Sequence, residues 1–387
     1  MRPRRYAFVY GVQVGVGGLG VQVENALRAL ALGGHDVHAI GPGPAPSWSG
    51  APGRITWHRV PPLPPLLGRW SPLRRRTGLV QEIADRRMGR FAAGRLEAVR
   101  PDLCYTFTQV GLETLQWAAA AGVPSVLESP NGHLRDFRRV YVEEARRWCG
   151  RRYRGHPTTR MVRRVEREYA LARAIRVSSE WARRSLSARA QDGSGITVLQ
   201  QPVDVRRYVP SAPAARPEGG LRVCFVGSLD LRKGFVYLLR AARRAGRDLT
   251  LELVGGTGDR CCRRLLERER RGLPISMAPG DPRPALQRAD LFVLPTLEDG
   301  SPFAVAEAMA SGLPVITTTS TGAAEWIRPG LTGWTVEPAS DVALAAALDE
   351  ARRQAHSLAA MGREARLDTE RRVAGCDESL SAWVRAQ

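Results

Sequence analysis

Short apolar runs recur along the chain, each followed by a loop rich in glycine and then by a stretch with helical period. That rhythm predicts parallel β-sheets joined by crossover helices. In the first half it places strands at residues 6–12, 36–40, 103–106, 125–128, 175–178 and 196–199, and a helix through Asn25 and Leu30 after a glycine loop at 15–20. A proline-rich passage at 42–72 interrupts the rhythm and reads as loop, with one strand at 54–59. Residues 202–220, PVDVRRYVPSAPAARPEGG, lose all apolar period and read as a linker. The alternation then restarts, with strands at 222–226, 249–254, 291–295 and 315–318. The expected division is a first domain at 1–200, a linker at 201–220, a second domain at 221–370 and a terminal helix at 371–387.

Length agrees with this, since 387 residues exceed a single core at roughly 150 residues per domain. A hydrophobic content of 43% and a charged content of 25% are those of a globular chain. The six cysteines show neither zinc-ligand spacing nor a disulfide framework, so reduced thiols and a cytoplasmic location are expected. The basic then apolar start is not read as a secretory signal, because Gln13 and a run of glycines interrupt it. No apolar run reaches the ~18 residues of a membrane span, so any membrane contact is expected to be peripheral.

Charge changes the picture less than its size implies. The balance is +20, yet every basic residue except Lys233 is arginine, so codon bias competes with an anionic partner as its cause. From Arg135 to Arg167 the arginines come in pairs, with Trp148 and Tyr153 among them. Such a stretch fits an anionic membrane surface or a phosphate backbone, or is a solvated helix face. No nucleic-acid motif accompanies it, and nucleic acid is not an expected partner.

Ligands of open parallel sheets bind at the carboxyl ends of the strands, which directs attention to four loops. Gly15, Gly17 and Gly20 have dinucleotide spacing, but Ile40, Gly41 and Pro42 stand where a ribose-binding acid belongs. A tight turn that brings backbone close to a ligand is the competing reading. The loop at 227–234 aims Arg232 and Lys233 over the strand ends, as a phosphate site or as a surface charge pair. In the loop and helix at 296–316, Ser301 and Pro302 are expected as N-cap and first helical residue, Phe303 and Ala304 offer free amides, and Gly312 closes the helix. Glu307 projects from this otherwise apolar helix, either toward two vicinal ribose hydroxyls or to cap backbone amides nearby. His133, in ESPNGHLRDF, is a loop histidine with a structural and a functional reading.

Together these pieces resemble the family 4 glycosyltransferases over almost the whole chain. The resemblance is densest at Asp299 to Glu307, two acids separated by seven residues, with Gly300, Pro302 and EAMASGLPVI in pattern. It implies the GT-B architecture, two Rossmann-like α/β domains facing each other across a cleft. The first would be the acceptor-side domain, the second would bind the nucleotide sugar, and the terminal helix would pack back on the first. By the same resemblance Asp299 contacts the donor sugar, with Glu298 as the competing acid, Glu307 holds the ribose, and Lys233 binds the diphosphate with Arg232 in support. Ser301, Pro302, Phe303 and Ala304 line the donor site, Gly17 and Gly18 face it from the amino-terminal loop, and His133 lies near the reacting sugar.

The implied reaction is transfer from a nucleoside-diphosphate sugar to a hydroxyl acceptor, a glycan, a lipid-linked saccharide or a small metabolite, with retention and with neither cofactor nor obligatory metal. The inner face of the cell membrane would be the place of peripheral contact. The alternatives are a non-enzymatic basic protein for nucleic acid or anionic membrane, a sugar-nucleotide epimerase, and a phosphorylase. The last would require Lys233 to carry pyridoxal from the wrong kind of loop.

Overall fold

The strand, loop and helix rhythm is realised as two all-parallel sheets in a computed structural model that describes residues 3–45, 53–62, 77–150, 157–189, 195–211, 220–246, 248–257 and 259–387. Contacts divide the chain into two units: Met1–Arg138, Tyr153–Pro202 and Gly375–Gln387 form the first, Arg139–Arg152 and Val203–Ala374 the second. The GT-B fold expected from the sequence has these two α/β domains.

The first unit runs β1 (Arg5–Val9), α1 (Gly17–Leu32), β2 (Asp36–Gly41), β3 (Ile55–Arg59), α2 (Thr77–Val99), β4 (Leu103–Phe107), α3 (Leu112–Ala121), β5 (Ser125–Glu128), the start of α4 (Leu134–Cys149), α5 (Thr159–Leu171), β6 (Ala174–Val177), α6 (Glu180–Ser187) and β7 (Ile196–Val198). Its sheet has the order β3-β2-β1-β4-β5-β6-β7. Every residue of β4, β5 and β6 is buried because helices cover both faces of the sheet.

The second unit runs β8 (Leu221–Val226), α7 (Phe235–Ala245), β9 (Leu249–Val254), α8 (Arg260–Glu269), β10 (Ile275–Ala278), α9 (Arg283–Arg288), β11 (Leu291–Leu294), α10 (Phe303–Ala310), β12 (Val315–Thr318), a 3₁₀ turn at Gly322–Trp326, β13 (Gly333–Val336), α11 (Asp341–Arg353) and α12 (Leu358–Val373). The order is β10-β9-β8-β11-β12-β13. The chain ends in α13 (Cys376–Ala386), whose Leu380 and Val384 join the core of the first unit beside Val23 and Leu27 of α1. Of the expected linker, residues 212–219 lie outside the described residues.

Three features depart from the sequence reading. The sheet edges β10 and β13 are not visible in the apolar pattern, since both are short and largely half-exposed and so lack a full apolar run. The carboxyl-terminal half of α4 groups with the second unit: Val140 packs on Tyr237 and Leu297, and Arg240 lies 4.3 Å over the Trp148 ring. Tyr237 donates to Glu144 at 2.8 Å and accepts from Arg147 at 2.7 Å. Finally, the expectation of reduced thiols is corrected for one pair, because Cys149 and Cys261, 112 residues apart in sequence, form a disulfide. The end of α4 meets the start of α8 there, a proximity that no cysteine spacing reveals. Cys104, Cys224, Cys262 and Cys376 form no disulfide.

Candidate active site

The strand order of the second sheet reverses between β8 and β11, so the loops after these neighbours diverge to either side and leave a crevice at their carboxyl ends. Two of the loops singled out from the sequence meet there. Leu297 donates its amide to the Arg232 carbonyl at 2.7 Å, and the Thr296 hydroxyl bonds the same oxygen at 3.2 Å. Gly234, at φ +72°, sits so close to β11 that a Cβ would lie 2.0 Å from the Pro295 carbonyl oxygen. Only glycine satisfies both conditions, and its presence lets the cationic loop lie against the acidic one.

This lacing brings Arg232, Lys233 and Asp299 together. The Lys233 ammonium donates to Asp299 Oδ2, and Arg232 Nη1 lies 3.2 Å from the same oxygen. Arg232 also donates to the Glu298 carbonyl at 2.7 Å, with the Glu298 carboxylate 3.6 Å away. Burial alone would raise the Asp299 pKa, but Lys233 and then Arg232 outweigh it and hold the carboxyl below its usual range. Of the two adjacent acids, Asp299 is therefore the one aimed at Lys233. Two cations thus face two carboxylates, a balanced cluster whose cations a ligand anion can recruit.

The next loop leads into α10. The expectation that Ser301 caps this helix is corrected. Pro302 takes the N-cap position, with φ −68° and ψ 119°, and makes no side-chain cap bond. Gly300 is buried before it, and a bridge between Asp299 and Thr321 ties the loop to the start of the 3₁₀ turn after β12. The helix opens with the amides of Phe303 and Ala304, which no carbonyl within the helix can accept. Phe303, Ala304 and Glu307 are the half-exposed positions of α10 and share one face. Glu307 accepts a hydrogen bond from the Tyr208 hydroxyl at 2.8 Å, and burial raises its pKa.

The remaining expected residues belong to the first unit. Gly17 and Gly18 open α1, after a loop closed on itself by the Gly15 amide donating to the Gly20 carbonyl at 2.9 Å. Gly20 is required because a Cβ would lie 2.3 Å from the Gln13 carbonyl oxygen. His133 is buried. Its Nδ1 accepts from the Arg135 amide at 3.2 Å, so it caps the start of α4, and its ring lies 5.2 Å from that of Tyr169. The histidine lines a cavity of about 780 Å³ with Tyr169, Arg173, Leu186 and Arg189. Burial, then Arg189, lowers its pKa and favours the neutral ring.

Sequence reasoning missed two groups. One is Tyr208, which is 8% exposed and reaches Glu307 across 99 positions of sequence. The other is the buried Glu128, which receives Arg176 at 2.8 Å and bonds Tyr105 and Gln22, gathering β4, β5, β6 and α1 around one carboxylate. The basic stretch also divides. Arg164 is buried against Glu113, Arg147 serves Tyr237, and Arg135 pairs with Glu166, whereas Arg160, Arg163 and Arg167 form an exposed row on α5. Arg151, Arg152 and Tyr153 lie outside the described residues. No helix among the described residues is long and apolar enough to cross a membrane.

The fold is that of the GT-B glycosyltransferases. Over 99% of this chain and 98% of the other, it superposes on sucrose-phosphate synthase from Thermosynechococcus elongatus with a TM-score of 0.79 and 18% identity. Anabaena HepE in complex with UDP-glucose matches over 99% and 100% of the two chains, with a TM-score of 0.68 and 15% identity. Residues 220–353, which carry Arg232, Lys233, Asp299 and Glu307, match the family model for glycosyl transferases group 1. A putative colanic acid biosynthesis glycosyltransferase, WcaL of Salmonella typhimurium, is 31% identical over 194 residues, 46% of this chain and 47% of that protein. The chain thus spans about half the length of this curated relative.

Proposed function

We propose that the protein is a retaining glycosyltransferase that moves a sugar from a nucleoside-diphosphate sugar to a hydroxyl acceptor. The observation that carries this reading is the convergence of Lys233, Arg232 and Asp299 at the switch point of the second sheet, in the loop that leads to the α10 amides. In the reaction the bond from the anomeric carbon to the diphosphate oxygen breaks, a bond from that carbon to the acceptor oxygen forms, and the hydroxyl proton passes to the departing diphosphate. The nucleoside diphosphate departs with the bonding electrons. Lys233, Arg232 and the amides of Phe303 and Ala304 stabilise the charge that builds on it. Asp299 then turns to the hydroxyls of the donor sugar, Glu307 holds the ribose, and His133 is the proposed contact to the reacting sugar.

Anabaena HepE forms a complex with UDP-glucose, which makes a UDP-sugar the first donor to try. The WcaL relative is named for colanic acid biosynthesis, which favours a saccharide acceptor, free or lipid-linked. No metal takes part in this reading, so a chelator should leave turnover unchanged. Calorimetry with UDP, GDP, ADP and TDP is the test. Micromolar binding of one of them supports the proposal, and no binding of any at millimolar concentration overturns it. A peripheral contact is proposed as well, carried by the exposed row Arg160, Arg163 and Arg167. Flotation at low salt should recover more protein with anionic than with neutral vesicles, and equal recovery would refute the contact.

A further inference from the structure

We infer that Tyr208 is a positioning residue for ribose recognition, an inference that rests on the reading of Glu307 as the ribose-binding acid. The Tyr208 hydroxyl donates to Glu307 Oε1 at 2.8 Å. A carboxylate has about four acceptor sites on two oxygens, and the side-chain torsions, the last of them soft, decide where they point. With Oε1 engaged from one side, rotation of the carboxylate is restrained, and Oε2 with the second lone pair of Oε1 is left for a pair of vicinal hydroxyls.

The two partners are held at a set separation by a third residue. Arg366 of α12 sets one nitrogen, with its two N–H groups, among three carbonyls, those of Val205 at 2.8 Å and Tyr208 on one side and of Ala310 at 2.6 Å on the other, so that one N–H is shared between two of them. The first two carbonyls belong to the turn that carries Tyr208, the third to the last turn of the helix that carries Glu307. That turn is closed in addition by the Arg207 and Tyr208 amides, at 3.0 and 3.3 Å from the Asp204 carbonyl. Tyr208 therefore approaches Glu307 from a braced segment. A phenylalanine would fill the same space and leave the carboxylate free to rotate, at the cost of an unmade bond to a largely buried acid.

The experiment compares UDP with 2′-deoxy-UDP by calorimetry on the full chain. Wild type should prefer the ribonucleotide. Tyr208→Phe should weaken UDP about tenfold and 2′-deoxy-UDP less than twofold, so that the preference collapses, while the donor KM rises and kcat stays within about twofold. An equal loss for both nucleotides, or a preserved preference, would overturn the positioning role. Glu307→Gln separates the two levels. If it leaves the preference intact, the ribose reading itself falls. If it abolishes the preference while Tyr208→Phe does not, only the role of Tyr208 falls. In the Glu307→Gln background Tyr208→Phe should have no further effect on the ratio, which keeps the proposal open to refutation if either single variant is less stable than wild type.

Discussion

Lys233 donates to the carboxylate of Asp299 across the carboxyl ends of two adjacent strands, so the cation and the acid of the second unit neutralise each other before a ligand arrives. A diphosphate would compete for the same ammonium. The carboxylate it displaces is then free to accept from a sugar hydroxyl, so one exchange of partners arms both groups.

Asp299→Asn should therefore separate binding from turnover. With the competing charge removed, the Kd for free nucleotide should hold or fall up to about threefold. Turnover should drop at least 100-fold, on the order of 2.7 kcal/mol of transition-state stabilisation. Calorimetry and an initial-rate assay on one preparation check it, and the larger effect should come from Asp299 rather than from Glu298.

Lys233→Arg tests shape at constant charge. The loop cannot retreat to make room for a planar fork, because Gly234 already lies against the Pro295 carbonyl. A rate loss above tenfold is expected, over ~1.4 kcal/mol, with an unchanged melting temperature.

Gly234→Ala acts on the scaffold of the same loop. A left-handed backbone and a Cβ contact of 2.0 Å with backbone both oppose it. A cost of roughly 1–3 kcal/mol or more is expected from strain of this kind, read as a fall in melting temperature together with loss of nucleotide binding.

Asp85 of α2 predicts a pH dependence unrelated to the site. Burial raises its pKa from 3.8 to about 7, against the hydrogen bond from Gln81. A raised carboxyl binds its proton more tightly in the folded state, so its contribution is complete below pH 3.8 and is lost as pH rises toward 7. Asp85→Asn should remove this loss. The melting temperature of the variant, relative to wild type, should be higher at pH 8 than at pH 5.

Thiol counting tests the correction made to the cysteines. Denatured, unreduced protein should titrate four thiols, those of Cys104, Cys224, Cys262 and Cys376, and six after reduction. Reduction should also lower stability by about 2–5 kcal/mol, the usual range for a disulfide that closes a long loop.

The parts of this molecule that were legible in the sequence share a property: each lies directly after a strand buried on both faces. Lys233 follows β8 and Asp299 follows β11, so the strand pattern located the loops and residue chemistry did the rest. What depended on distant chain segments was not legible. Tyr208 meets Glu307 only because α12 clamps the turn beside α10, and Cys149 meets Cys261 only because α4 ends on α8. Ser301 failed as a cap for a local reason. The proline after it took the capping position itself, and a proline has no side-chain acceptor to offer.

The half of α4 that packs on Tyr237 has a consequence for anyone cutting this gene. The segment that completes the second unit is encoded well ahead of the linker, inside the stretch that otherwise builds the first. A fragment begun at Val203 would leave Tyr237 and Leu297 without Val140 and Trp148, and Cys261 without its partner. Expression of that fragment should give an aggregating product with an uncovered apolar face and a stray thiol. A chimera that exchanges the second unit between relatives would need four junctions, two around residues 139–149 and two around residues 203–374, so that both segments come from the same parent.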